Sequence, residues 1–322
     1  TTLDTWTPPQ GVSLYEVAGW GEDTLATIEY YKGKESSCSN PWDIRTCTSV
    51  PTIMYSPKDV VEGDGTVLVS SALWSSASTT KKYWVDLRDY DVWWRGNVGR
   101  KHADILEISE LRTLIKNILI NSTSTTPLSF ITTTQPATDA VANKRLRFVL
   151  HSPLNLSATD SFGNIVNSTI STIPGSRFKR YGEVQVLTVP KNTPLTLNLD
   201  GYATGSFTLD MQEIDGSNAV TASSTFSAIP SATSTKATMA FTDGTIQNAS
   251  PLLLDYDGNG ATDFSLTPKI GEVVVFDITP PEAILTFDPV SQEFKIIGTD
   301  NLSSTAVSTT ATSTTITDEA GN

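Results

Sequence analysis

The chain has 322 residues, a formal net charge of −13 at pH 7 and only 18% charged residues. This length is enough for two or three domain cores, so one compact fold throughout is not expected. The negative charge argues against binding nucleic acid or an anionic membrane through bulk electrostatics, and seven Trp, nine Tyr and eleven Phe argue against disorder because they need cores.

The ends of the chain and its cysteines bear on where the protein works. No stretch approaches the roughly 20 consecutive apolar residues of a membrane-spanning helix, so we expect no transmembrane segment. The sequence starts at Thr1 without a leader peptide, and we expect processing to have removed an upstream part. Cys38 and Cys47 match no metal or redox motif, so a disulfide is favoured over two unpaired thiols. A disulfide agrees with an extracellular or cell-surface location.

Residues 1–121 predict a first unit, since they hold all seven tryptophans and the one convincing helix. We expect the helix to begin with Ser109 as its N-cap, because apolar residues then recur on one face. Those residues are Leu111, Leu114, Ile115, Ile118 and Leu119. Residues 122–142 have no periodicity and contain two prolines, which is typical of a linker.

Short alternating runs separated by turn residues follow from Lys144 onward. The clearest runs are Leu146–Leu150, Val184–Val189, Leu195–Leu199 and Ser206–Leu209. The Asp-Gly and Pro-Gly turns between these runs predict an antiparallel β-sandwich over residues 143–278, which Val273–Phe276 would close.

The last stretch, residues 279–322, predicts the start of an Ig-like module. Pro280 and Pro281 would stiffen the junction, and Ala283–Phe287 with Phe294–Ile297 would form a strand pair. Asp318–Asn322 is expected to be a turn in this module. About 40 residues are too few for a self-sufficient core, so the module is expected to be partial.

The sequence Gly-Asp-Gly-Thr-Val at residues 63–67 is the clearest chemical motif. Alone it is a turn signal, because Asp-Gly dipeptides supply the positive φ angles of tight turns. Its neighbours change that interpretation: Gly11–Thr24 precedes it, and Lys101–Leu106, with His102, runs directly into the predicted helix.

This order resembles the C-terminal third of α/β-hydrolases of the lecithin:cholesterol acyltransferase-like lipase family, over about residues 10–120. In that family a Gly-x-Gly-x-Thr turn precedes Gly-Asp-Gly-Thr-Val, whose Asp is the acid of a Ser-Asp-His triad, and a later His is the base. The resemblance implies that Asp64 is the triad acid and His102 the general base, with the strand Tyr83–Leu87 leading to the His loop. Acid before base also suits this fold, in which the serine comes first.

The chain departs from that family because it contains no Gly-x-Ser-x-Gly sequence. The serine, the oxyanion-hole donors and most of the parallel sheet would therefore lie on a preceding or partner polypeptide. The predicted fold class is α/β plus all-β: two to three strands and a helix that complete a partner's sheet, then the sandwich and the Ig-like start. The implied substrate is a lipid or another ester.

Several alternatives stay open at this stage. His102 could be an ordinary surface histidine, and Asp86, Asp89 and Asp91 are rival triad acids, although they read as a solvated strand face beside Arg88. His151 is expected to be structural. An N-terminal Thr1 nucleophile is disfavoured, because the first residues are typical of a connecting arm.

Residues 255–263 predict a calcium loop. Asp255, Asp257, Asn259 and Asp263 stand at the first, third, fifth and ninth loop positions with Gly260 at the sixth, as in the first part of an EF-hand loop. Ala261 would add its carbonyl oxygen. Leu266 stands where the last acid would be, so a short structural calcium loop of an extracellular β module is expected. The alternative is an Asx-rich turn without metal.

Two functions follow from these features. The first is a secreted serine hydrolase whose catalytic C-terminal segment is followed by β modules for display or attachment. The second is a structural or adhesion fragment of a large surface protein, in which the hydrolase-like segment is a non-catalytic remnant.

Overall fold

A computed structural model describes most of the chain. The described residues are 6–39, 46–77, 79–93, 100–121, 127–137, 144–216, 218–276, 282–288, 293–299, 306–309 and 314–317. The described part is mostly β, with half of the described residues in strands and 11% in helices. In the described part, no helix is long and apolar enough to cross a membrane.

The front of the chain combines a small sheet, helices and a long hairpin. Its elements are β1 (Tyr15–Trp20), β2 (Thr24–Cys38), β3 (Cys47–Val60), α1 (Val69–Ala72), β4 (Lys81–Asp86), α2 (Leu87–Trp93), a 3₁₀ helix (His102–Glu107), α3 (Ser109–Leu119) and β5 (Ile131–Thr132). β1 and β4 are parallel neighbours, and β5 pairs antiparallel with the other edge of β4. β5 lies inside the interval predicted to be a linker.

Helix α3 confirms the predicted helix and corrects two of its details. Leu111 and Leu114 are buried against Val85 and Leu87, but Leu119 is 79% exposed and does not belong to the packed face. The prediction that Ser109 is the N-cap is wrong. The capping position is Ile108, and the Ser109 hydroxyl donates to the Glu110 carboxylate instead of accepting a backbone N–H of the first turn.

The hairpin of β2 and β3 was not predicted. Its strands of 15 and 14 residues pair from Thr24 opposite Val60 to Cys38 opposite Cys47. The two cysteines form a disulfide, as the sequence predicted. The covalent bond therefore closes the far end of the hairpin.

Residues 145–275 form the β-sandwich. Its strands are β6 (Arg145–His151), β7 (Leu154–Asp160), β8 (Ile165–Val166), β9 (Arg177–Tyr181), β10 (Val184–Pro190), β11 (Leu195–Gly201), β12 (Gly205–Ile214), β13 (Val220–Ser231), β14 (Lys236–Phe241), β15 (Leu252–Asp255), β16 (Phe264–Leu266) and β17 (Val273–Val275). They make two six-stranded sheets, in the orders β17-β13-β12-β6-β10-β9 and β16-β15-β14-β11-β7-β8. The four predicted runs all lie in strands. β17 pairs parallel with β13, so the sandwich is not wholly antiparallel.

The sandwich core lies between the two sheets. Phe148 of β6 and Phe241 of β14 meet edge-on with ring centroids 5.1 Å apart, and both are fully buried. The outer face of the first sheet is also covered: Val149, Val184 and Val186 are buried with Tyr55 of the hairpin packed against them. β6 is therefore buried on both faces, which explains its nearly continuous apolar run.

The hairpin is bonded to the sandwich along its length. The Tyr55 hydroxyl donates to the Tyr181 carbonyl at 3.0 Å, and near the disulfide the Ser36 N–H donates to the Ser206 hydroxyl at 2.8 Å. These bonds make the hairpin an outer layer of the sandwich.

The final described strands are β18 (Glu282–Asp288), β19 (Glu293–Thr299), β20 (Ala306–Thr309) and β21 (Thr314–Thr317). β18 pairs antiparallel with β19, which confirms the predicted strand pair, and β20 pairs with β21. The predicted turn at 318–322 lies outside the described residues.

Candidate active site

The Gly63–Val67 turn holds the Asp64 side chain in a fixed direction. Asp64 Oδ1 accepts the backbone N–H groups of Thr66 at 3.1 Å and Val67 at 2.7 Å, and the Asp64 N–H donates to the Val67 carbonyl at 3.2 Å. Gly65 has φ +89°, a left-handed conformation that favours glycine. One carboxylate oxygen is thus used by the turn, and the other is left to point outward.

His102 is the partner of that second oxygen. It begins the 3₁₀ helix after β4 and α2, and its Nδ1 lies 2.8 Å from Asp64 Oδ2. The His102 backbone N–H also donates to the Asp64 carbonyl at 3.0 Å. The structure therefore brings together the two residues that the sequence pattern selected, 38 positions apart.

This contact determines which ring nitrogen carries the proton. A carboxylate oxygen only accepts, so Nδ1 donates and the neutral ring keeps a lone pair on Nε2. A lone pair on Nε2 is what a general base needs in order to accept a hydroxyl proton.

Acid and imidazole differ in exposure. The Asp64 side chain is 8% exposed and the His102 side chain 50%. Among the described residues, no hydroxyl or thiol makes a hydrogen bond to the His102 ring. Within the described residues, the site thus consists of a carboxylate paired with an imidazole.

Gly19 at the end of β1 leaves room for both partners. A Cβ at Gly19 would lie 2.6 Å from the Asp64 Cβ and 3.1 Å from Cδ1 of Ile105, which follows His102 in the 3₁₀ helix. Such distances are too short for any residue with a side chain. A glycine here allows the acid turn and the His helix to pack on the same point of β1.

The Thr24 side chain connects Gly65 of the turn to Glu22. It is fully buried, and its hydroxyl donates to the Glu22 carbonyl at 2.8 Å and accepts the Gly65 N–H at 2.9 Å. The Glu22 N–H donates to the Gly63 carbonyl at 3.1 Å. The Gly11–Thr24 segment singled out in the sequence therefore builds the support for Asp64.

The three rival acids lie at the end of β4 and in helix α2. Asp86 ends β4 and is buried, so its prediction as part of a solvated strand face is wrong. Burial raises the pKa of its carboxyl, and its Oδ1 accepts the Asp89 N–H at 3.0 Å. Asp89 and Asp91 belong to helix α2 and not to a strand. Thr1 lies outside the described residues.

An ion-pair cluster, Glu22 and Asp23 with Arg145, Arg177 and Lys179, joins the front unit to the sandwich. Arg145 lies 2.6 Å from Asp23 Oδ2, Arg177 lies 2.7 Å from Glu22 Oε1, and Lys179 donates to the Asp23 carbonyl. Burial of Asp23 opposes its charged form, but Arg145 and Arg177 outweigh it and lower its pKa to about 2. This cluster was not predicted, because its partners are far apart in sequence.

A cleft of about 260 Å³ opens beside this cluster. Gly65, which follows Asp64, and Lys101, which precedes His102, line this cleft together with Ser168 and Thr169 of a sandwich turn. The sandwich therefore forms part of the surroundings of the Asp64–His102 pair.

His151, the last residue of β6, is buried beneath the hairpin. Its Nε2 lies 3.2 Å from the Tyr31 hydroxyl and 3.4 Å from Asp210 Oδ2. Burial and Asp210 raise the pKa of Tyr31 well above its usual range. These contacts attach the hairpin and agree with the structural role expected of His151.

The predicted calcium loop connects β15 to β16. Single carboxylate oxygens of Asp255, Asp257 and Asp263 lie within 4.8 Å of one another. The Asn259 side chain donates to Asp257 Oδ2 at 2.9 Å and accepts the Ala261 N–H at 2.7 Å. The three acids fit the oxygen preference of calcium, while internal hydrogen bonds shape the rest of the loop.

Comparison with protein-family models, curated proteins and solved structures found no match to this chain. What the site can do therefore follows from its geometry and from the sequence pattern.

Proposed function

We propose that the chain is the C-terminal part of a secreted or cell-surface serine hydrolase of the lipase, esterase or acyltransferase class. Asp64 would be the acid and His102 the base of a Ser-Asp-His triad. The observation that supports this is the 2.8 Å contact between His102 Nδ1 and Asp64 Oδ2, with Asp64 Oδ1 held by two backbone N–H groups. An ordinary surface ion pair needs neither a buried acid nor a turn built around it.

The proposed reaction uses a serine on a preceding or partner polypeptide. His102 Nε2 takes the proton of its hydroxyl as the oxygen attacks the ester carbonyl, and Asp64 stabilises the imidazolium that forms. The same proton then passes to the departing alcohol, which leaves an acyl-enzyme. Water, deprotonated by His102, hydrolyses it, or an acceptor alcohol takes the acyl group in the transferase variant.

The free edge of β1 is the proposed attachment point for that polypeptide. β1 pairs only with β4 among the described strands, although Ala18 and Trp20 are buried on one face and Val17 packs against the core on the other. Parallel strands buried on both faces belong to the interior of a larger sheet. A further parallel strand along this edge would bring the partner next to Asp64 and His102.

The test is to purify the protein from its native source and treat the preparation with a fluorophosphonate probe. We expect a copurifying polypeptide that bears Gly-x-Ser-x-Gly to be labelled, and this chain to stay unlabelled. Labelling should vanish when His102 is replaced by Ala in the reconstituted pair. A partner that is present but never labelled would contradict the proposal.

The structural or adhesion function is the second candidate. The half-exposed His102 ring, with no nucleophile bonded to it in the described part of the chain, is the observation that favours it. In that case the sandwich, the hairpin and the tail strands would be the functional parts, and labelling would fail in every preparation.

Calcium at the β15–β16 loop is proposed as a structural ligand. Three carboxylates that approach within 4.8 Å repel one another, and a cation bound by Asp255, Asp257 and Asp263 would cancel that repulsion. The backbone carbonyl of Ala261 and the side chain of Asn259 complete the proposed ligand set. Chelation would then lower the melting temperature of the sandwich.

A further inference from the structure

We infer that the β-sandwich positions the Asp64–His102 pair through the ion-pair cluster, so that Arg145, Arg177 and Lys179 are positioning residues for the site. The catalytic meaning of this inference rests on the proposed function. The geometric part of the inference does not depend on that function, because every contact lies within this chain.

The first step of the connection is electrostatic. Arg177 contacts Glu22 at 2.7 Å and Asp23 at 3.3 Å, and Arg145 contacts Asp23 at 2.6 Å. The side chains of Glu22 and Asp23 are 4% and 7% exposed. Because both carboxylates are shielded from water, their ion pairs are screened less by salt than pairs between fully exposed side chains are.

The second step runs along the backbone from Glu22 to the acid turn. The Glu22 N–H donates to the Gly63 carbonyl, and the Glu22 carbonyl accepts the Thr24 hydroxyl. The same hydroxyl accepts the Gly65 N–H at 2.9 Å. Both residues that flank Asp64 are thus bonded to the segment that the sandwich cations hold.

Thr24 and the turn that carries Asp64 are packed closely against each other. A Cβ at Gly63 would lie 2.2 Å from the Thr24 hydroxyl oxygen, so the turn and Thr24 are in direct contact. A shift of Thr24 therefore moves the turn. Because His102 is bonded to both the carbonyl and the carboxylate of Asp64, a movement of the turn changes the Nδ1–Oδ2 contact.

The test measures the state of the His102 ring by nuclear magnetic resonance, using ¹⁵N-histidine in the full chain. The chain has two histidines, so a His151→Gln variant assigns the signals. We expect the wild-type ring to be in the Nδ1–H form with a slowly exchanging Nδ1 proton. In Arg177→Met we expect both ring tautomers and at least tenfold faster exchange of that proton with water.

Arg180→Met is the matched control, since Arg180 lies on the same strand, is exposed and donates to the Gly182 carbonyl. It should leave the His102 signals unchanged. Thr24→Val should reproduce the effect of Arg177→Met, and Thr24→Ser, which keeps the hydroxyl, should restore the wild-type signals. The Thr24 pair also decides the question if Arg177→Met does not fold.

Wild-type tautomer and exchange in folded Thr24→Val or Arg177→Met would overturn the inference, even if those variants melted at a lower temperature. The measurement needs neither a serine polypeptide nor a substrate. Failure of the proposed hydrolase function would appear as missing fluorophosphonate labelling, whereas failure of the coupling would appear as unchanged ring signals.

Discussion

His102 is bonded to Asp64 twice, once through its backbone N–H and once through its ring. The backbone bond to the Asp64 carbonyl is 3.0 Å long and the Nδ1–Oδ2 contact is 2.8 Å. The backbone bond sets the distance between the two chain segments, and that distance allows the imidazole to reach the carboxylate. The contact between the two side chains is therefore built into the fold.

If the proposed function holds, removing either member of this pair should abolish turnover by the chain reconstituted with its serine-bearing partner. Asp64→Asn and His102→Ala are each expected to lower kcat by at least about a thousandfold, since the general base loses its tautomer or disappears. Steady-state hydrolysis of a soluble ester measures the effect. Asp86→Asn is the control, because Asp86 is the rival acid and its carboxylate accepts the Asp89 N–H at 3.0 Å. Full activity of His102→Ala would refute the assignment.

Replacing Gly19 by Ala should displace the acid turn. The added methyl group would meet Asp64, Leu87 and Ile105 at 2.6 to 3.1 Å, so we expect a loss of about 1–3 kcal/mol in the free energy of unfolding. We also expect a changed His102 ring signal. Urea unfolding and the ¹⁵N spectrum measure both effects. Gly205→Ala, where the methyl group would meet only Pro153, should have a smaller effect on stability and none on the ring.

We expect Asp23 to make the free energy of unfolding depend on pH in the acidic range. Its pKa in the folded protein is about 2, below the usual aspartate value of 3.8, so the charged form stabilises the fold above about pH 4. This contribution, about 2 kcal/mol, is lost as the pH falls towards 2.

Thermal unfolding of Asp23→Asn against wild type measures this contribution. The difference in melting temperature should be present at pH 7 and shrink steadily below pH 4. Glu183→Gln, at an exposed position, should show no such trend. A difference that stayed constant down to pH 2 would mean that Asp23 acts through packing and not through its charge.

Chelation should destabilise the sandwich if calcium occupies the β15–β16 loop. We expect a lower melting temperature in EDTA, full recovery with calcium, and no response to EDTA in Asp257→Asn. Asp243→Asn, in another exposed turn where the carboxylate accepts the Thr245 N–H, is the control and should respond as wild type does. An identical melting curve with and without EDTA would exclude this site.

Local patterns predicted the parts of the fold in which one segment is enough to define its own structure. The apolar spacing of Leu111 and Leu114 located helix α3, and the alternating runs located four strands of the sandwich. The resemblance of Gly63–Val67 and Lys101–Leu106 to a hydrolase-family pattern implied the pairing of Asp64 with His102, and the structure places Nδ1 of His102 2.8 Å from Asp64 Oδ2. The two cysteines predicted the disulfide.

The unpredicted parts depend on long-range contacts. The hairpin lacks a clear apolar alternation, since Tyr30 and Tyr31 of β2 are adjacent and are flanked by Glu29 and Lys32. Only the adjacent apolar pairs Phe148–Val149 of β6 and Val186–Leu187 of β10 hinted that both faces of the first sheet are covered. The pairing of Glu22 with Arg177 joins residues 155 positions apart, which no local pattern reveals.

Because the hairpin attaches the front unit to the sandwich, residues 122–142 are not needed to hold the two together. β2 and β3 leave the front unit, lie on the sandwich and are closed by a disulfide at the far end. A protease that cut the chain anywhere in that interval would produce two fragments that still stay together under native conditions. Residues 122–142 link the two parts of the chain covalently. The hydrogen bonds of Tyr55 to Tyr181 and of Ser36 to Ser206 hold the hairpin, and with it the front unit, on the sandwich.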